Sequence, residues 1–173
     1  MRIALLAATI GAALISPAAT AAPTGLFNKT VRVSYGFYIP GKSAVGTTNG
    51  GGRSVTTIIY ISSAGRVFSK QVARASRGSS GEDVMAAPDR TAGHFDFAGN
   101  TMVATRRFGN AAGRMTVKFD PGFQTCTADF IVGGENGAPM TWVGLNGEKY
   151  TQVGPPTFSS VTCSVQSGNA FAN

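Results

Sequence analysis

Between His94 and Val132 the chain alternates apolar and polar side chains on a two-residue beat, broken only by turn residues. Phe95 and Phe97 share one parity before Ala98-Gly99-Asn100 turns the chain. Beyond a strand through Arg106 and a loop at 109–113, Met115, Val117 and Phe119 face one way and Arg114, Thr116, Lys118 and Asp120 the other. Pro121-Gly122 turns again, and Cys126, Ala128, Phe130 and Val132 form the apolar side of the next strand. Successive side chains of a strand point to opposite faces, so this beat requires antiparallel strands with one face on a core.

The same pattern recurs outside this stretch. Val31, Val33, Tyr35, Phe37 and Ile39 alternate with Arg32, Ser34, Gly36 and Tyr38 until Pro40-Gly41. A glycine-rich loop through Thr47–Gly52 leads to a strand over 54–62, whose isoleucines fall on both parities. Residues 66–77 read two ways. As a strand they close a hairpin over Ser63-Ala64-Gly65. As a helix they place Arg66, Lys70, Arg74 and Arg77 on one side and Phe68, Val72 and Ala75 on the other. The helix lacks a capping pair at its start, so the strand is the better fit. Residues 76–93 read as a polar loop, with room for a helical turn near Glu82–Ala86. Asn146-Gly147 is a strong hairpin signal between strands at Met140–Leu145 and Tyr150–Val153, and Val161–Gln166 is the last strand. The expected fold is all-β: a single antiparallel β-barrel or β-sandwich of eight or nine strands. The run of hairpins slightly favours the barrel, which also leaves no unpaired edges.

The N-terminus sets the domain organisation. Met1-Arg2, an apolar stretch over Ile3–Ile15 and the small residues Ala19-Thr20-Ala21 form a secretory signal, residues 1–21. The apolar run falls short of the ~20 residues of a membrane span, and an uncleaved anchor is the less favoured alternative. Residues 22–173 then form one exported domain, periplasmic or extracellular, with no transmembrane span. At roughly 150 residues such a domain buries about 70% of its unfolded surface. Cys126 and Cys163, the only cysteines, both lie on apolar parities and are expected to form a disulfide.

Catalytic signals are incomplete. His94, the single histidine, shares a face with Asp96 as a base and its orienting carboxylate would. The only nucleophile at hand is the loop pair Ser79-Ser80. Glu135, Glu148 and Asp129 are the candidates for an acidic pair of glycosidase type, with no spacing to fix their separation. No metal-ligand spacing, Walker loop or dinucleotide fingerprint occurs, so no metal or cofactor is expected. Asn49–Arg53 offers the composition of a backbone nest for an anion, though a plain loop explains it as well.

Charge is distributed unevenly. Residues 23–81 hold eight basic side chains and no acidic one, while residues 82–173 hold six basic and eight acidic, leaving the mature chain near +6. Such asymmetry attracts polyanions. The short, Ala-rich signal points to a bacterial host, for which these would be anionic envelope lipid, lipopolysaccharide or acidic glycan, met by Arg66, Lys70, Arg74 and Arg77 with Arg53 in support. The same residues dispersed around the fold would serve solubility alone. Aromatics in the basic half sit on core parities, so nucleic acid is not an expected partner. The leading expectation is thus a non-catalytic exported domain that associates with an anionic envelope component. The first alternative is a small-ligand carrier whose pocket is lined by Tyr35, Phe95, Phe97, Phe119 and Phe130. The second is a hydrolase using His94 and Asp96 or an acidic pair.

Overall fold

The computed structural model describes residues 21–75, 80–85, 94–108, 110–144 and 147–171. Residues 1–20 of the predicted signal segment, Arg77, Ser79 and Asn146 lie outside these residues. Among the described residues the regular structure is strand, apart from short 3-10 turns at Thr24–Leu26 and Glu135–Gly137. Eleven strands form in chain order: β1 (Lys29–Ser43), β2 (Thr48–Ile61), β3 (Val67–Ala75), β4 (Ser80–Met85), β5 (His94–Ala98), β6 (Thr101–Phe108), β7 (Ala111–Phe119), β8 (Cys126–Gly134), β9 (Thr141–Val143), β10 (Lys149–Gln152) and β11 (Thr157–Ser167).

They build two antiparallel sheets, one of them curled as half a barrel. The smaller sheet is a meander, β5-β6-β7-β8, as the alternation over 94–132 requires. The larger runs β4-β3-β2-β1-β10-β9, with β11 also on β1. Strand β1 organises it. At 15 residues β1 is long enough to pair with β2 along one side and with two strands on the other. Residues 29–38 take β11 and residues 41–43 take β10. This long-range return replaces the closed up-and-down barrel with a two-layer arrangement, because the strands following the meander go back to β1.

Two local expectations are corrected, and the choice between strand and helix over 66–77 is decided for the strand over its described part. Within the expected Thr47–Gly52 loop, Thr48–Gly52 is the start of β2, because its backbone pairs with Tyr38–Lys42 of β1. In this extended pairing successive N–H groups point to alternate sides, so they do not converge on one point as an anion nest requires. Residues 67–75 are strand, their Cα register fixed against β2 on one side and β4 on the other, which overrides the helical spacing of the basic residues. β4 itself lies within the expected 76–93 loop, where a helical turn was the alternative. Polar composition hid it: an edge strand with one sheet neighbour needs little apolar content.

The inner faces follow the beat. Val31, Val33, Ile59 and Ile61 of the large sheet and Met102, Val117 and Phe119 of the small one are buried against each other. The disulfide Cys126–Cys163, with Cα atoms 5.4 Å apart, ties β8 to β11 and so joins one sheet to the other. At one end, Lys29 Nζ donates to Phe123 O (2.9 Å) and Phe119 meets Phe123 with ring centroids 5.7 Å apart, closing the core under the 121–125 turn. A second, smaller apolar cluster of Ile39, Ala111 and Met140 sits at the other end. Beside this second cluster the two sheets frame a cavity that is partly open to solvent.

Candidate functional site

The cavity exists because small residues replace large ones where the sheets face each other. Gly51 and Ala73 on the large sheet and Ala104, Ala111 and Gly113 on the small sheet line it. Side chains of this size cannot span the roughly 10 Å between packed sheets. The cavity measures about 300 Å³, the low end of the ~300–1,000 Å³ typical of small-molecule sites.

Its walls differ in chemistry. One side is aromatic and comes from β1, β8 and β11. Tyr35 packs on Phe130 with centroids 4.1 Å apart, Phe130 stacks on Phe158 at 5.0 Å and 13°, and Phe37 meets Phe158 at 5.2 Å. Trp142, stacked on the buried Tyr150, covers the Gly51 end, where the indole lies 3.6 Å from the position a Cβ would occupy. The other side is polar and comes from β2, β3 and β6. Thr57 and Gln71 are cross-strand partners, and Gln71 Nε2 donates to Thr57 Oγ1 (3.2 Å). Arg106 of the opposite sheet donates from its guanidinium to Gln71 Oε1. Buried Ser69 and the exposed Arg53 complete this side. No Asp or Glu is among the described lining residues.

Electrostatics follow from this layout. Burial pushes the Tyr35 phenol up to about 12, and the positive charge of Arg106 pulls it partly back. Tyr35 is therefore a neutral O–H at ordinary pH, able to donate.

The residues expected from sequence are distributed as follows. Arg53 faces inward on β2, opposite Phe37, and reaches the cavity. Lys70 and Arg74 take the opposite parity on β3 and lie on the outer face of the same sheet. Arg66 sits in the β2–β3 turn, where its N–H donates to Ser62 Oγ (3.1 Å). The proposed anion-binding set is thus divided between two faces and a turn. Tyr35, Phe95 and Phe130 line the cavity, but Phe97 and Phe119 are packed in the main core. His94 opens β5 opposite Thr105, and its side chain is outside the described set. Asp96 takes the outward parity, opposite Val103. Glu135 pairs with Arg107 (3.1 Å), Glu148 accepts from the Tyr150 hydroxyl (3.0 Å), and Asp129 faces outward opposite Thr116.

Arg106, Gln71 and Trp142 are among the lining residues that sequence reading passed over. A signal for two of them was present. Arg106 shares the parity of Met102 and Ala104, and Gln71 that of Val67 and Ser69, so each is a polar group on an inward beat. Burying such a group is costly unless it finds partners. Trp142 carries no such mark, since its position depends on β9 joining β10. Compared with known proteins, no family model, no curated protein and no solved structure matches the chain.

Proposed function

We propose that this is an exported, non-catalytic domain that binds a small, largely apolar molecule between its two sheets. One observation carries the reading: an aromatic-walled cavity of about 300 Å³, framed by residues too small to fill it. A domain of this size could fill its interior with its own side chains, and interiors normally pack to crystal-like density. Here the space is kept open by small residues contributed from four different strands. The absence of carboxylates among the described lining residues favours binding over acid–base hydrolysis. Export is supported by the signal-like N-terminus and by the disulfide, which is stable in oxidising compartments.

The test is calorimetric titration with octanol, octanoate, naphthylmethanol and naphthoate. At least one pair binds at one molecule per chain, and Ala104→Phe, which projects a ring into the cavity, removes that binding while leaving the circular-dichroism spectrum intact. If none of the four binds, the reading fails. Should Ala104→Phe not fold, Ala73→Leu fills the space from the other sheet and takes its place.

The envelope-association reading keeps one supporting observation. Arg32 and Lys70 both pair with Ile58, and Arg74 lies further along β3, so three basic residues share the outer face of adjacent strands. Association through this face would be seen as sedimentation with anionic vesicles that declines as salt rises. Equal recovery with neutral vesicles would reject it.

A further inference from the structure

The rings around the cavity define its ligand more closely than apolarity alone does. We infer that the bound molecule is a planar aromatic compound of one or two rings, rather than an aliphatic chain or a saturated ring, held against the wall of Tyr35, Phe130 and Phe158. The inference rests on the binding reading above and adds the chemical class of the ligand.

Aromatic lining reaches the cavity from three places. Strands β1, β8 and β11 supply one continuous wall, in which the Phe158 ring lies 5.9 Å from Tyr35, 5.2 Å from Phe37 and 5.0 Å from Phe130 between centroids. Strand β5 supplies Phe95, the cross-strand partner of Ala104. Strand β9 supplies Trp142 at the Gly51 end. These strands belong to both sheets, so a molecule in the cavity meets rings from both layers. Register explains the wall: Phe37 and Phe158 are paired across β1 and β11, and Tyr35 lies two residues from Phe37 on the same inward parity. Each ring of the wall packs on at least one other. Its surface is therefore held in place, and binding orders few side chains.

Aliphatic and aromatic molecules of one size bury similar apolar area, so burial does not separate them. Three other effects do. Offset or edge-on contact between rings adds about two- to tenfold in affinity beyond area. Thioether sulfurs also favour aromatic partners. Met115, the cross-strand neighbour of Phe130, and the buried Met140 both line the cavity. A flexible chain loses conformational freedom on binding, whereas a fused ring has little to lose. The polar side asks less of the ligand. Thr57, Gln71 and Arg106 are bonded to one another from sheet to sheet, which holds that side together and leaves selection to the rings.

The decisive measurement compares naphthylmethanol with decahydronaphthylmethanol, which share a carbon skeleton and differ in the π system. A cavity that selects by apolar area alone binds the saturated alcohol at least as tightly. The aromatic alcohol is expected to bind roughly threefold or more tightly in calorimetric titration. Phe130→Leu, which keeps an apolar side chain and removes a ring, is expected to bring that preference below about twofold. A smaller difference in the unaltered protein, the reverse order, or binding of the octyl pair alone overturns the inference while leaving the cavity as a binding site. Absence of binding by the four ligands named above overturns the reading on which it rests. If Phe130→Leu does not fold, Trp142→Leu is the second variant. Undiminished preference for the aromatic alcohol in the folded variant also overturns the inference.

Discussion

Asp120 accepts hydrogen bonds from the backbone N–H groups of Thr125, Gln124 and Gly122, at 2.6, 2.6 and 3.0 Å. These donors, Thr125 foremost, hold its carboxyl below the usual carboxylate range. A lowered folded-state value means that the unfolded chain binds the proton first as pH falls. The stabilisation is present at pH values above the ordinary carboxylate range and is lost as pH drops through the folded value. Asp120→Asn should lower the urea midpoint at neutral pH, with the gap to the parent closing in acid. Tyr35 has the opposite sense. Its phenol is raised to about 12, so its contribution is complete below the unfolded value of about 10 and is lost as pH rises beyond it. Ultraviolet titration of the parent against Tyr35→Phe should show that the substitution removes a phenol ionising near 12. Cys126–Cys163 closes a loop spanning 37 residues, for which Cys163→Ala should cost about 2–5 kcal/mol in oxidising buffer. Denaturation with and without reductant checks this: the variant should be indifferent to reductant and the parent should not. The pairing was legible from parity, since both cysteines fall on apolar beats. Val161, on the same beat as Cys163, is nevertheless 39% exposed. A β-bulge intervenes, with Ser160 at φ 50° and the register shifting between Ser34 and Gly36. An inserted residue resets the in-and-out count, and nothing in the local sequence announces it.

Strands that carry an apolar beat bounded by turn residues were the readable elements. The β5–β8 meander follows from alternation and turn residues, and its register agrees with the expected faces. The β2–β3 hairpin follows from Ser63-Ala64-Gly65, where Gly65 has φ 72°. Strand segments that lack an apolar beat of their own were not readable. β2 extends through three glycines because β1 continues alongside it, and β4 forms at a polar edge because β3 offers a free side. The end of β8 shows how tightly such junctions are built. A Cβ on Gly134 would lie 1.8 Å from the Ala138 carbonyl oxygen, which belongs to backbone and has little room to yield. Gly134→Ala should therefore cost about 3 kcal/mol, the upper part of the range for overpacking, measured by chemical denaturation. Gly133, next to it, has open space at the same position. Gly133→Ala is the control and should change stability by less than about 1 kcal/mol.

For the whole molecule, a ligand held between the sheets stabilises the folded state by mass action. At a hundred times its Kd, naphthylmethanol should contribute about 2.7 kcal/mol, or about 5–10 °C in Tm for a domain of this size. The filled variant Ala104→Phe should show no such shift, with thermal denaturation monitored by circular dichroism. Sequence by itself determined the class of fold, the inward or outward sense of most side chains and the disulfide. Each of these depends on the two-residue geometry of a strand, which acts locally. Tertiary structure decided that the sheets would be two rather than one closed cylinder, because β10 and β11 return to β1 from more than a hundred residues away. It also decided the site. Whether Ala73, Ala104 and Gly113 leave a cavity depends on which residues they face across the layers, and a separation between sheets is not encoded in any single strand. The basic N-terminal half illustrates the same limit: adjacent strands and alternating parity sent Arg53 to the cavity and Lys70 and Arg74 to the opposite surface.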